Sequence, residues 1–158
     1  MENRNKKFAD MIVNYSCRVQ KGERVLIEEI GTDAKQLIKE LIRAVYAAGG
    51  YPYLGLSDAS LNREIMMKCT EEQLAFRREY EMYQMKGMDA YIAVRASENT
   101  SELSDVPSEK LNLYSKMLRP VIDERVDHTK WVIMRYPNNS MAQLSGMSCL
   151  LYTSLASL

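Results

Sequence analysis

Arg24-Val-Leu-Ile-Glu28 is the stretch of sequence that decides the fold. Its three central residues form an unbroken apolar run, which is typical of a strand buried on both faces of a parallel sheet. A helical pattern follows and ends at Gly49-Gly50; its apolar side chains, spaced three or four positions apart, are Leu37, Ile38, Leu41, Ile42 and Val45. We expect Thr32 or Asp33 to cap that helix. A buried strand followed closely by an amphipathic helix is the repeating unit of an α/β sheet.

The same alternation of strands and helices extends over the rest of the chain. An opening amphipathic helix is predicted from Phe8 to Val19. Further strands are predicted over 51–56 and 90–94 and from Trp131, and further helices over 61–67, 71–86 and 107–125 and after Pro137. Strands that alternate with helices in this way are joined by crossovers between parallel neighbours. We therefore predict a three-layer α/β domain with a mostly parallel sheet of about four or more strands flanked by helices.

The composition limits the classes of partner. The 158 residues suit a single domain, and 21 basic residues balance 21 acidic ones, so the formal net charge is zero. Without excess positive charge, the chain lacks the electrostatic attraction that binds nucleic acids and anionic membranes. The first residues lack the apolar segment of a secretory signal, and no apolar run of about 18 residues occurs. We therefore expect a cytoplasmic protein with no nucleic-acid or membrane partner.

Few side chains in this chain are suited to metal binding or catalysis. Cys17, Cys69 and Cys149 are widely spaced, which argues against a disulfide framework and a thiolate metal site. His128 is the one histidine, and it precedes the fourth predicted strand, at the amino edge of the sheet, where such folds rarely bind ligands. Glu28-Glu29 is a weak metal signal without imidazole support. No glycine-rich phosphate-binding motif occurs. We therefore predict no catalytic residue and no metal ligand in this chain.

The order of several sequence blocks resembles one enzyme family. The blocks are Asn14-Tyr-Ser16 with Val19-Gln-Lys-Gly-Glu-Arg-Val-Leu-Ile27, Ala47-Ala-Gly-Gly50, Asp89-Ala-Tyr-Ile92, Arg95 with Glu98-Asn99, Arg135-Tyr-Pro137, Met141-Ala-Gln143 and Ser145-Gly-Met-Ser148. Their order and spacing resemble the N-terminal domain of the thermophilic-type metallo-aminopeptidases, peptidase family M29, which includes aminopeptidase T and aminopeptidase S. The resemblance covers residues 5–148.

The resemblance implies an activity, a cofactor and partners. Enzymes of this family remove N-terminal amino acids from peptides with a pair of divalent metal ions, zinc or cobalt, and form homodimers. Their metal ligands lie in a C-terminal catalytic domain. The resemblance therefore implies that residues 1–148 are the N-terminal α/β domain of such an enzyme and that this chain alone is inactive. Residues 149–158 carry no charge, and we expect them to be a non-native or truncated tail.

Candidate site residues follow the third and fourth predicted strands. Arg95, Glu98 and Asn99 follow the third strand, and Arg135 and Tyr136 end the fourth. Both groups are at the carboxyl edge of the sheet, where α/β proteins bind ligands. The resemblance implies that these residues line the substrate cleft or the interface with the catalytic domain. A solvated loop is the simpler interpretation.

A second function is compatible with the same sequence. The alternative hypothesis is a free-standing, non-catalytic α/β binding module for a small molecule or a protein partner. The fold does not decide between the two hypotheses, because one fold serves many functions. They differ in whether this chain, joined to a catalytic half, cleaves peptides from the amino end.

Overall fold

The computed structural model describes residues 2–97, 99, 101–146 and 148. Within them, four strands form one sheet in the order β2-β1-β3-β4, and all neighbouring pairs are parallel. The strands are β1 (Arg24–Gly31), β2 (Tyr51–Ser57), β3 (Ala90–Ala96) and β4 (Lys130–Arg135). The helices are α1 (Glu2–Met11), which a π-helical segment at Ile12–Ser16 continues, α2 (Lys35–Ala47), α3 (Ala59–Lys68), α4 (Glu71–Lys86), α5 (Ser108–His128) and α6 (Asn139–Leu144).

Helices cover both faces of the sheet. On one face, β1 and β3 pack against α1 and α2, and this core includes Val25, Ile27, Leu37, Leu41 and Ile92. On the other face, β1 and β3 pack against α4 and α5 through Leu26, Met85, Tyr91 and Val121. The apolar run of β1 is therefore buried on both faces, as its sequence predicts. This arrangement confirms the predicted three-layer α/β fold.

The predicted cap of α2 is wrong, because β1 runs further than its apolar pattern indicates. The strand continues to Gly31, so Thr32 and Asp33 lie in an exposed turn before the helix. The amide of Ala34, the N-cap residue, instead donates to Oε1 of Glu29 at 3.0 Å. Glu29 is 4% exposed, so a buried carboxylate from the strand stabilises the start of α2.

The carboxyl ends of the first and fifth helices also differ from the predicted ones. The π-helical continuation of α1 ends at Ser16, short of the predicted end at Val19, and the chain then turns at Arg18, which has a φ of +46°. α5 continues past the predicted end at Arg125 to His128. The histidine therefore ends a helix, although the sequence placed it in a turn.

β1 and β3 approach each other closely at their carboxyl ends. Gly31, the last residue of β1, has a φ of +110°. A Cβ atom at this position would lie 2.3 Å from the carbonyl oxygen of Ala96 and 2.8 Å from the amide nitrogen of Ser97. Glycine fits this backbone conformation and this distance without strain, because it has no Cβ. The close approach fixes the spacing of the strand ends that carry the candidate site residues.

Some predictions fall outside the described part of the chain. Residues 149–158, for which the sequence predicts a non-native or truncated tail, are not among the described residues. Cys149 belongs to that segment, whereas Cys17 and Cys69 are buried and free. Across 2–97, 99, 101–146 and 148, no helix has both the length and the apolar character needed to cross a membrane.

Candidate functional site

A cavity of about 710 Å³ lies between the sheet and the helices α4 and α5. One end of the cavity, its mouth, is at the carboxyl edge of the sheet, where it is lined by Ile30, Ser57, Arg95, Ser97, Arg135 and Asn138. β1 has β2 on one side and β3 on the other, so the strand order reverses at this point. Ligands of open α/β sheets bind at such positions.

Tyr91, Glu28 and Arg125 form a polar cluster inside the cavity. The hydroxyl of Tyr91 donates to Oε2 of Glu28. The guanidinium of Arg125 lies over the Tyr91 ring, 3.8 Å from the ring centroid. Burial raises the pKa of Tyr91 above its ordinary value; the charge of Glu28 adds to this rise, and the charge of Arg125 opposes it. The phenol is therefore neutral at physiological pH and donates a hydrogen bond.

Arginines of the two helices stack over tyrosine rings in the cavity. Arg125 belongs to α5, and its Nε atom is buried without a hydrogen-bond partner among the described residues. Arg77 of α4 pairs with Glu81 at 2.6 Å, and its guanidinium lies 5.3 Å from the centroid of the Tyr114 ring. The cavity therefore combines aromatic surface with positive charge.

Three of the five predicted site residues line the cavity together. Arg95 and Arg135 are register partners in the pair β3–β4, and both side chains are exposed at the mouth. Asn99 lines the same cavity. Its side-chain amide donates to Oε2 of Glu102 at 2.8 Å, and its Oδ1 accepts the amide of Ser101. The loop after β3 is thus held by its own polar side chains.

The other two predicted site residues are not part of this group. Tyr136 packs against the core on the side of the sheet that carries α1 and α2. Its amide donates to the carbonyl oxygen of Arg95 at 2.8 Å, which extends the β3–β4 pairing by one residue. Glu98 lies outside the described residues.

Sequence reasoning did not identify Tyr91 and Arg125 as site residues. A signal for Tyr91 was present, because side chains alternate along a strand and Tyr91 therefore shares a face with Arg95. The register pairs Tyr91 with Trp131 and Arg95 with Arg135, which is consistent with this alternation. No comparable signal exists for Arg125, because its position over Tyr91 results from the packing of α5 on the sheet.

The described residues do not fit a two-metal centre. They contain no group of three or more His, Cys, Asp or Glu side chains that could hold a metal ion. Nδ1 of His128 lies 3.2 Å from Oε2 of Glu124, at the exposed end of α5. Glu28 and Glu29 are neighbours in a strand and lie on opposite faces of the sheet, where each accepts a hydrogen bond from a protein donor. We therefore derive no catalytic step from the described residues.

Most of the chain matches a known protein family. The family model of the thermophilic metalloproteases, M29, matches residues 1–149. The chain belongs to this family. The match confirms the resemblance that the order of the sequence blocks indicates, and it assigns this M29 chain to a family of metalloproteases.

A solved structure shares the fold of this M29 chain. Wild-type AmpT from Thermus thermophilus matches it with a TM-score of 0.70 and 19% sequence identity. The match covers 98% of this chain and 41% of the AmpT chain, so this chain spans less than half the length of that structure. At this identity the likeness shows the fold alone. No curated protein matches the chain.

Proposed function

We propose that this chain is the N-terminal α/β domain of a metal-dependent aminopeptidase. The complete enzyme removes N-terminal amino acids from peptides and holds two divalent metal ions, zinc or cobalt, in a C-terminal catalytic domain. Membership of the M29 family over residues 1–149 is the observation that carries this proposal. The fold shared with 41% of the AmpT chain supports a further domain in the complete enzyme.

The domain has a non-catalytic role in this proposal. Its carboxyl sheet edge, which carries Arg95, Asn99, Arg135 and Tyr136, faces the catalytic domain and shapes the substrate cleft or the domain interface. The same role is proposed for Glu98 from its position in the sequence alone. The exposed charges of Arg95 and Arg135 support this role, because interfaces between domains of one chain are more polar than a core. The complete enzyme is a cytoplasmic homodimer. In it, the catalytic domain follows residue 148 in place of residues 149–158.

The genomic locus and the protein that it encodes test the proposal. We expect the reading frame to continue beyond codon 148 into a second domain that supplies His, Asp and Glu ligands. The complete protein, loaded with zinc or cobalt, releases amino acids from short peptides with a free amino terminus and leaves the same peptides intact when that terminus is acetylated. A chelator abolishes the release, and added metal restores it. A stop codon directly after Leu158 in a well-covered locus, or a folded and metal-loaded protein without this activity, contradicts the proposal.

Variants of the complete enzyme test the role of the sheet edge. Arg95→Ala and Arg135→Ala each lower kcat/KM about tenfold, which corresponds to about 1.4 kcal/mol of lost stabilisation. His128→Ala is the control, because His128 is exposed at the opposite edge of the sheet. Equal effects of the three substitutions, or no effect of the two arginine substitutions, contradict the assigned role.

A further inference from the structure

We propose that Arg95 and Arg135 bind the carboxylate of a small ligand with an apolar body at the mouth of the cavity. A free amino acid and the carboxyl end of a short peptide both have this chemistry. The proposal goes beyond the aminopeptidase role, because it requires neither a metal ion nor a second domain.

Arg95 and Arg135 lie directly opposite each other on neighbouring strands. Neighbouring strands are about 4.8 Å apart, and register partners project their side chains to the same face. Like charges in such a pair repel each other and destabilise the sheet. Within the described part of the chain, neither guanidinium has a hydrogen bond or an ion pair. Two adjacent cations are therefore available to an anion.

Within the described residues, no acidic side chain of the cavity forms an ion pair with Arg95 or Arg135. Four arginines and three glutamates line the cavity within the described residues, which leaves an excess of one positive charge. Each glutamate has another partner: Glu28 accepts from Tyr91, Glu81 pairs with Arg77, and Glu102 accepts from Asn99. Among the described residues, three of the cavity arginines have no ion pair, and two of these, Arg95 and Arg135, lie at the mouth.

A carboxylate fits this mouth better than a phosphate. Guanidinium groups bind both anions through parallel N–H donors, so the arginines alone do not discriminate. Phosphate sites of α/β folds use the amides at the start of the helix after β1. Here the amide of Ala34 already donates to the buried carboxylate of Glu29, which would repel a phosphate. Glu28, on the strand next to Arg95, also repels a ligand that carries a second negative charge.

The lining of the cavity indicates an apolar ligand body. Its uncharged surface includes Tyr91, Leu103, Leu118, Ile122 and Ile133. A volume of about 710 Å³ is within the range of about 300–1,000 Å³ that small-molecule sites occupy. A ligand whose carboxylate contacts the arginines can therefore place a leucine-sized group against this surface.

Calorimetric titration of the 158-residue chain tests the proposal. The probes are N-acetyl-leucine, leucine, N-acetyl-leucinamide, acetate and inorganic phosphate. We expect N-acetyl-leucine to bind at least about tenfold more tightly than its amide, which lacks the carboxylate, and than acetate, which lacks the apolar body. Leucine distinguishes a free amino acid from the carboxyl end of a peptide as the ligand. If leucine binds as tightly as N-acetyl-leucine, the ligand is a free amino acid. If leucine binds more weakly, the ligand is a peptide end.

Variants of the arginine pair make the test specific. Arg95→Gln and Arg135→Gln each weaken the binding of N-acetyl-leucine at least about tenfold. The matching lysine variants weaken this binding less, because lysine keeps the positive charge but lacks the planar guanidinium. Arg119→Gln is the control, since Arg119 is exposed on α5 and does not line the cavity. Melting curves verify that each variant is folded.

Four results would overturn the proposal. They are equal binding of N-acetyl-leucine and its amide, tighter binding of phosphate than of N-acetyl-leucine, an equal loss in Arg119→Gln, and no binding of any probe to the folded chain. The titration contains no metal and no peptide cleavage, so failure here is distinguishable from failure of the aminopeptidase proposal.

Discussion

Replacement of Gly31 by alanine tests the close approach of β1 and β3. The new residue has to adopt a φ of +110°, which costs about 1–3 kcal/mol for a residue with a side chain. Its Cβ atom would also lie 2.3 Å from the carbonyl oxygen of Ala96, and because this oxygen belongs to the backbone, it moves only if the strand moves. Relief of such overpacking costs about 1–3 kcal/mol. The two contributions lower the free energy of unfolding by about 2–6 kcal/mol.

Gly22→Ala is the matched control, because it separates the two contributions. Gly22 has a φ of +83°, and a Cβ atom there would meet nothing within 4 Å. This variant therefore loses stability only through its unfavourable backbone conformation, by about 1–3 kcal/mol. For a domain of this size, each kcal/mol lowers the melting temperature by about 2–4 °C. Gly31→Ala should accordingly melt at least about 2 °C below Gly22→Ala.

Urea unfolding gives the direct measurement of this difference. Trp131, the one tryptophan of the chain, lies on β4 and reports on the integrity of the sheet through its fluorescence. We expect a lower midpoint for Gly31→Ala than for Gly22→Ala, with similar slopes of the two transitions. Equal losses in the two variants would refute the argument that backbone crowding at Ala96 requires glycine.

Three further predictions concern buried polar groups. Glu29→Ala removes the acceptor of the Ala34 amide and lowers the free energy of unfolding by about 1–3 kcal/mol. Glu29→Gln keeps an acceptor oxygen and therefore loses less stability. Equal losses of the two variants in urea unfolding would contradict the capping role of Glu29. Tyr91→Phe leaves Glu28 without its donor and costs about 1–3 kcal/mol in the same assay, while Tyr83→Phe, at a residue that is 85% exposed, leaves the unfolding midpoint unchanged. Burial raises the pKa of the Cys17 thiol from 9.0 to about 11. Between these pH values the thiol is ionised in the unfolded chain and protonated in the folded chain, so the free energy of unfolding falls as the pH rises. Melting temperatures should therefore fall less steeply above pH 9 in Cys17→Ala, and parallel curves for variant and parent would disprove this contribution.

The layers of the fold were predictable because they depend on local periodicity. Val25 and Ile27 are buried against one pair of helices and Leu26 against the other, as an unbroken apolar run requires. The start of α4 is equally local: Oγ1 of Thr70 accepts the amide of Gln73 at 3.2 Å, as the sequence of a capping box indicates. Each of these features depends on residues close to one another in the chain.

The start of α2 was not predictable in the same way. Thr32 and Asp33 have the intrinsic preference for a helix cap, but the pairing of Gly31 with Ala96 extends β1 and moves the N-cap position to Ala34. The extension depends on a strand that is distant in sequence. A long-range contact therefore overrides a local preference.

The candidate site was predictable at the level of the sheet edge. Arg95 follows the third predicted strand and Arg135 ends the fourth, which places both residues at the carboxyl edge of the sheet. Their direct opposition depends on the register of β3 and β4, and the aromatic interior depends on how α4 and α5 pack. Neither property is encoded in a short stretch of sequence.

The interior position of β1 affects how the nascent chain matures on the ribosome. β1 and β2 emerge first and are joined through α2, but the second edge of β1 receives its partner only when β3 has been translated. At about 5–20 residues per second, this apolar edge stays open for several seconds, during which chaperones or other nascent chains can pair with it. Soluble yield will therefore depend on the speed of translation between β2 and β3, and slow codons in that interval will lower it.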